Sequence, residues 1–387
     1  MDIKVYKMPT EIIMGRGASE KVGEKVKELN VKKAFIVTDK GVVNAGLLNG
    51  IIESLKKENI EYVLFDEVES DPGIDMIERA TEIAKKSGCE ITIGVGGGSS
   101  MDSAKAVAAM VTNEGKIFDY IGIGKIKRPA LPIIAIPTTA GTGSEATYWS
   151  VLTDKKTKFK TGVGSWYLMP TVAIVDPLLT KSLPPKVTAI TGMDALTHAL
   201  ESYVCKATQP ISEALALHSM KLIARSLRKA VANGDDLDAR EDMIMASTIA
   251  ALAFNVTRLG LAHALASPLG AHFNIPHGLA NAIVLPHVME FNVMAVPEKF
   301  TEIAVIFEEN ITGLSRMEAG MKAVEAIKKL MRDIGIVEGL KDFGVKEEDL
   351  KPIAEEAYTS GNVAVNPRKS TVDDLIKILR KAMDGLK

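Results

Sequence analysis

"EITIGVGGGSSMDSAK", residues 90–105, decides how this chain folds. An apolar, β-branched run ends in three consecutive glycines, and a serine-headed segment of small residues at helical spacing follows. The pattern reads as strand, tight turn and helix. Glycine lets a backbone approach a ligand closely, and a helix N-terminus offers unpaired N–H groups and a positive dipole end, which suits a pyrophosphate. The dinucleotide fingerprint is incomplete, because Gly94 and Gly96 satisfy its start while Ser99 stands where a third glycine belongs. Taken alone, the stretch also fits a tight turn with no ligand.

Working outward, the same rhythm extends over the first half. "KAFIVTDK" (33–40), "EYVLFDEV" (61–68) and "LPIIAIPTT" (131–139) are strand-like, while "LLNGIIESLKKENI" and "DMIERATEIAKKSG" carry apolar residues at helical spacing. Strand and helix in alternation predict a largely parallel sheet covered by helices on both faces. From about Lys186 nearly everything is helical in period, and consecutive prolines near Leu183–Pro185 interrupt both patterns. The expectation is therefore an α/β dinucleotide-binding domain over 1–183 and an all-α domain over 184–387. "AIPTTAGTGSEAT" (135–147) again follows a strand, and sets Thr138, Thr139, Thr142 and Ser144 around glycines, so that small hydroxyls stand where phosphate and ribose oxygens are bound. Asp39 ends a strand, either as a turn residue or as an acceptor for an adenine-side ribose; a carboxylate there repels a 2′-phosphate and favours NAD over NADP.

Composition narrows the function classes. The chain is 47% hydrophobic and 25% charged with a formal charge of −2, and no polybasic patch marks a nucleic-acid surface. Its longest apolar runs are too short for a bilayer, and its first residues lack a signal-peptide layout, so a cytoplasmic protein without membrane partners is expected. Two cysteines, Cys89 and Cys205, form no framework and suit a reducing compartment. Gln209 is the single glutamine, a depletion that hints at a thermophilic source.

A second chemistry-bearing region lies in the helical half. "TGMDALTHALESYV" (191–204) places Asp194 and His198 four apart on one helix face, among apolar neighbours where an unpaired carboxylate costs several kcal/mol. "LGLAHALASPLGAHFNIPHGLANAIVLPHV" (259–288) holds His263, His272, His277 and His287, four of the chain's six histidines. Carboxylate and imidazoles together suit a borderline divalent metal such as iron or zinc. Singly, each histidine reads as well as a satisfied core residue, and His218 and His287 keep that reading.

These blocks, with "LMPTVAIVDPLLTKSLPPKVTAITGMDALTHALESYV" (168–204), resemble the signature blocks of the iron-dependent, group III alcohol dehydrogenase family, in order and over nearly the whole chain. The resemblance implies a dehydroquinate synthase-like fold and a homo-oligomer, a dimer or larger. It implies Fe2+, or alternatively Zn2+, on Asp194, His198, His263 and His277. It also implies NAD, or alternatively NADP, with Gly97, Gly98 and Ser99 on the pyrophosphate, Thr138, Thr139 and Thr142 near phosphates, ribose or nicotinamide, and Val151, Lys160 and Leu179 completing the pocket. Asp39 matches the position where NAD-preferring members carry aspartate. Two departures stand out. Ser267 occupies the position of a further histidine proposed elsewhere in the family as a proton relay, which leaves His272 as the substitute candidate. Asp71 precedes Pro72 where the family often has asparagine.

The implied activity is interconversion of small primary alcohols or diols and aldehydes, with metal polarisation of the oxygen and hydride transfer to the nicotinamide. A dehydroquinate-synthase type lyase shares the fold, but binds a phosphorylated polyhydroxy acid and calls for several Lys and Arg; here the blocks are apolar, and Arg258 is the nearest cation. A zinc glycerol dehydrogenase is the nearer alternative, and a nucleotide-binding protein without turnover a third.

Overall fold

A computed structural model describes residues 3–154 and 159–386. The chain divides into two compact units, Met8–Ser182, and Leu183–Lys387 with Met1–Lys7. Residues 3–7 therefore go with the helical unit, unlike the expected boundary: Tyr6 donates its hydroxyl hydrogen to the Leu252 carbonyl at 3.2 Å, and Gln209 Nε2 donates to the Val5 carbonyl at 3.3 Å. So short a segment has no periodicity that would announce which unit it joins.

In the first unit the described strands are β1 (Glu11–Met14), β2 (Lys33–Val37), β3 (Glu61–Phe65), β4 (Ile91–Gly96), β5 (Gly122–Ile123), β6 (Ile133–Pro137), β7 (Trp149–Asp154), β8 (Phe159–Gly164) and β9 (Val172–Val175). Helices α1 (Val22–Glu28), α2 (Lys40–Asn44), α3 (Asn49–Lys57), α4 (Ile74–Lys86) and α5 (Gly98–Thr112) alternate with them. Six strands form one sheet in the order β1-β9-β6-β4-β2-β3, every pairing parallel. All residues of β4 are buried, as a central parallel strand covered on both faces requires. Successive side chains point to opposite faces, so Phe35 enters one apolar core with Ile77 and Val107 while Ile36 enters the other with Ile51 and Ile93. The strand order reverses between β2 and β4, and the crevice at the carboxyl ends of strands flanking such a point is where open α/β sheets bind ligands. Asp39, Gly97 and Thr138 all follow strand ends on that edge. β5, β8 and β7 form a second, three-stranded sheet that the sequence pattern did not announce.

The second unit is helical: α6 (Pro185–Val204), α7 (Pro210–Ala232), α8 (Leu237–Thr257), α9 (Leu261–Phe273), α10 (His277–Asn292), α11 (Pro297–Ile306), α12 (Arg316–Asp333), α13 (Leu350–Tyr358), α14 (Gly361–Val365) and α15 (Val372–Lys381). Proline at the first position starts α6, where its missing N–H costs nothing. The α6 residues from Gly192 to Val204 are all buried, and the helix is packed by α7, α8 and α10. A helix covered on every side is apolar all round, so its polar residues must find internal partners. Among the described residues no single helix is long and apolar enough to cross a membrane.

Candidate active site: a phosphate cradle and a metal-ligating cluster

The cradle forms where β4 turns into α5. Gly96 has φ +147°, a conformation other residues rarely adopt, and an added Cβ would stand 2.5 Å from Ser100 Oγ. At Gly98 a Cβ would meet Thr142 Cγ2 at 2.8 Å, because the hydroxyl-rich loop after β6 lies against the start of α5. The first turn of α5 thus places Gly97, Gly98 and Ser99, all half-buried, beside Thr139 and Thr142, with Thr138 buried behind them. Asp39 accepts hydrogen bonds from the amides of Gly41 (2.8 Å) and Val42 (3.1 Å) on Oδ1, capping α2, while Oδ2 faces Ser100 Oγ at 3.4 Å. One carboxylate oxygen is therefore structural and the other is turned to the cradle.

Ser144, read from sequence as a further ligand donor, is engaged elsewhere. Its hydroxyl donates to Asp102 Oδ1 at 2.5 Å and accepts from the buried ammonium of Lys105 at 2.8 Å. Lys105 Nζ also reaches the carbonyls of Ser144 (2.6 Å), Thr147 (2.9 Å) and Trp149 (2.8 Å). Burial pushes its pKa down to about 8, against the pull of Asp102 and Glu145. Asp102 Oδ2 accepts from the Val151 amide at 2.9 Å, so Asp102 and Lys105, one turn apart on α5, hold the chain from 144 to 151 against the cradle. Val151 keeps an exposed side chain, and Leu179 is buried after β9. Lys160, expected to reach a ribose hydroxyl, forms an ion pair with Asp71 at 2.6 Å. Asp71, one of the two departures from the family pattern, has a left-handed backbone (φ +55°) and comes with a partner that was not expected from sequence.

In the helical unit, Asp194, His263 and His277 bring one ligand atom each within 4.8 Å of one another. They come from α6, α9 and α10, nearly seventy residues apart at the closest between the first two. His198 lies next to this group, its ring stacked on that of His263 (centroids 4.6 Å, 23° between planes) and, on its other contact, on Phe254 (4.4 Å). His263 Nε2 is buried without a hydrogen-bond partner, 3.9 Å from Asp194 Oδ1. Burial, reinforced by His198 and His277, holds the His263 pKa well below the usual imidazole value, so the ring is neutral at pH 7. Burial works to raise the pKa of Asp194, yet the three imidazoles and the Asn281 amide bring it below the ordinary carboxyl value. Asn281 Nδ2 donates to Asp194 Oδ1 at 2.8 Å.

His272 is not brought to this cluster. It sits on the last turn of α9 with Nε2 2.7 Å from Glu356 Oε2, in a pair whose histidine side chain is 43% exposed. The position nine residues from His263 leaves it more than two turns along the helix. The Ser267 hydroxyl donates to the His263 carbonyl at 3.2 Å, within its own helix. The sequence reading missed Glu201 and Asn281. Glu201 was findable, since 194, 198 and 201 follow the four-then-three spacing of a single helical stripe. Asn281 stands four after His277 on α10, the same rule on the neighbouring helix.

Comparison with known proteins shows the family. The family model described as iron-containing alcohol dehydrogenase matches residues 9–177, and that of the Fe-containing alcohol dehydrogenase family, C-terminal, matches 188–383. The 1,3-propanediol dehydrogenase of Citrobacter freundii is 45% identical over 97% of this chain and 98% of its own. A crystal structure of 1,3-propanediol oxidoreductase superposes with a TM-score of 0.97 at 44% identity, covering 99% of this chain and 100% of that one. The sulfoacetaldehyde reductase of Bifidobacterium kashiwanohense, solved in complex with NAD+, gives a TM-score of 0.90 at 35% identity, covering 99% of each chain. The chain is an oxidoreductase that interconverts alcohols and aldehydes, and it belongs to the iron-containing alcohol dehydrogenase family.

Proposed function

We propose that the chain oxidises a small primary alcohol or diol to the aldehyde, and reduces the aldehyde in reverse, with NAD on the cradle and Fe2+ held by Asp194, His198, His263 and His277. The observation that carries this reading is the buried, unpartnered His263 Nε2 beside the Asp194 carboxylate. An unsatisfied buried acceptor costs about 1–3 kcal/mol, and a divalent cation would satisfy it together with the carboxylate. Three imidazoles and one carboxylate suit Fe2+, with Zn2+ as the alternative. A cation bound there supplies Lewis acidity that lowers the pKa of an alcohol oxygen towards neutrality.

The chain's own residues do the rest. Asp194, held anionic, offsets the ion's charge, and Phe254 keeps an apolar face against His198. Gly97, Gly98 and Ser99 offer amides to the pyrophosphate, and Thr139 and Thr142 offer hydroxyls beside them. One Asp39 oxygen accepts from ribose and repels a 2′-phosphate, which supports NAD over NADP. Oxidation moves a hydride, with its electron pair, from the alcohol carbon to the nicotinamide C4 and releases the hydroxyl proton, leaving aldehyde, NADH and H+. With His272 paired to Glu356 and Ser267 bonded to its own helix, that proton leaves through hydroxyls, water or ribose. Reduced Cys89 and Cys205 fit a cytoplasmic setting, and the edge strand β1, with Met14 exposed, fits a homo-oligomer. The test is elemental analysis of anaerobically purified protein, coupled to NAD and NADP assays over primary alcohols and diols. Undiminished oxidation by chelator-stripped protein would refute the metal reading, and a preference for NADP would refute the role given to Asp39.

A further inference from the structure

Glu201 is buried on α6 two turns from Asp194, yet its carboxylate is hydrogen-bonded to a different helix. Its partners are all on the segment that begins α9. Oε2 accepts from the Gly260 amide at 2.8 Å and from His263 Nδ1 at 2.7 Å, and Oε1 accepts from the Ala262 amide at 2.6 Å. The first amides of a helix have no partners within it, and Gly260, the N-cap residue, has no side chain to serve them. An added Cβ at Gly260 would stand 2.7 Å from Glu201 Oε1, so the glycine makes room for a carboxylate arriving from another helix.

We propose that Glu201 is the positioning residue of the metal centre: by accepting the Nδ1 proton of His263 it leaves Nε2 as a bare lone pair facing Asp194, while the same carboxylate caps the helix that carries this histidine. Backbone amides donate to both Glu201 oxygens, which favours the carboxylate form; a carboxylate can only accept, so the proton between Oε2 and Nδ1 is assigned to the imidazole, and a neutral imidazole with Nδ1 protonated has Nε2 unprotonated. The absence of any hydrogen-bond partner for Nε2 agrees, since a protonated Nε2 would be an orphaned donor facing a carboxylate out of reach at 3.9 Å. Capping adds position to protonation state, because the two amides that hold the carboxylate lie one and three residues before His263 in the same turn. One residue thereby ties α6, with Asp194 and His198, to α9. The inference rests on the proposed ligation, but its tautomer half needs no metal.

The experiment uses full-length, metal-free protein labelled with 15N-histidine; six histidines keep the spectrum tractable, and His263→Asn identifies the relevant signals. Wild-type His263 is expected as a single Nδ1–H form, and Glu201→Met as a mixture or as Nε2–H. Zn2+ affinity, measured by competition with a chromophoric chelator, is expected to fall about 10–100-fold in Glu201→Met. Gly260→Ala, which leaves the carboxylate intact but displaces it, is expected to shift both readouts the same way and stands in if Glu201→Met does not fold. An Nε2–H or averaged His263 in the wild type, or wild-type Zn2+ affinity in both variants, overturns the proposal. A wild type that binds no metal overturns the ligation reading instead, and the tautomer still decides the role of Glu201.

Discussion

Replacing Lys105 by methionine is the sharpest test of how the cradle is held. The ammonium is fully buried and faces five oxygens between 2.6 and 3.2 Å, three of them the carbonyls of Ser144, Thr147 and Trp149. Its three hydrogens can serve three of these at a time, and hydrogen bonds involving a charged group contribute roughly 1.5–3 kcal/mol each. Against that gross gain stands the cost of taking an ammonium out of water, which methionine of similar length does not incur. Removing one member of a buried charged network usually costs about 3–5 kcal/mol, since the partners left behind stay buried. For Lys105→Met the orphaned partners are three carbonyls, of which that of Ser144 also accepts from the Thr147 amide at 3.3 Å, and an Asp102 carboxylate 3.9 Å away. We therefore expect a loss of about 3–5 kcal/mol, which for a unit of this size lowers its melting temperature by roughly 10 °C. Calorimetry and urea titration of metal-free protein measure the stability. NADH fluorescence titration at a temperature where both proteins are folded measures the cradle, and affinity should fall by roughly tenfold because Thr142 accepts from the Ser144 amide at the start of the released segment. A change below about 1 kcal/mol would refute the reasoning, for it would mean that desolvation of the ammonium cancels its hydrogen bonds.

Gly278→Ala should weaken metal binding without altering any ligand: its Cβ would meet the Ile190 carbonyl at 2.5 Å and Asp194 Cβ at 3.1 Å, forcing α10 from α6 at a cost of about 1–3 kcal/mol, read by Zn2+ competition and thermal unfolding. Burial lowers the His287 pKa from 6.5 to about 4, so the unfolded chain takes up this proton first as pH falls. Stability from the neutral ring is thus fully present above pH 6.5 and is lost down to about pH 4, by some 3 kcal/mol at most. His287→Leu should flatten the acid limb of the melting curve in that window, and an unchanged limb would exclude the contribution. Arg258 has φ +65° and ψ −170°, a region essentially reserved for glycine, so Arg258→Gly should raise stability by about 1 kcal/mol, and a lower melting temperature would show that its packing over Gly361 outweighs the strain.

Much of the architecture is local information. The β-branched runs at 33–40, 90–98 and 131–139 are buried strands because only a two-sided parallel sheet accepts continuous apolar sequence, and the glycines after β4 mark where another segment lies against the backbone. Asp194 and His198 were legible as a pair because helical period puts residues four apart on one face. Contacts across the fold were not legible. That Ser144 serves Lys105 and not a ligand, that Lys160 meets Asp71, that His272 meets Glu356, and that residues 3–7 join the helical unit depend on which helices and loops become neighbours. The sequence by itself determined the fold class, the family resemblance and the residue types able to bind a metal and a dinucleotide. Tertiary packing alone decided which of those polar groups are already spent on each other and which, like His263 Nε2, are left facing a buried carboxylate. The physical reason is that periodicity encodes which face of an element is apolar, whereas a hydrogen bond depends on a distance of about 3 Å between groups that the chain order does not relate.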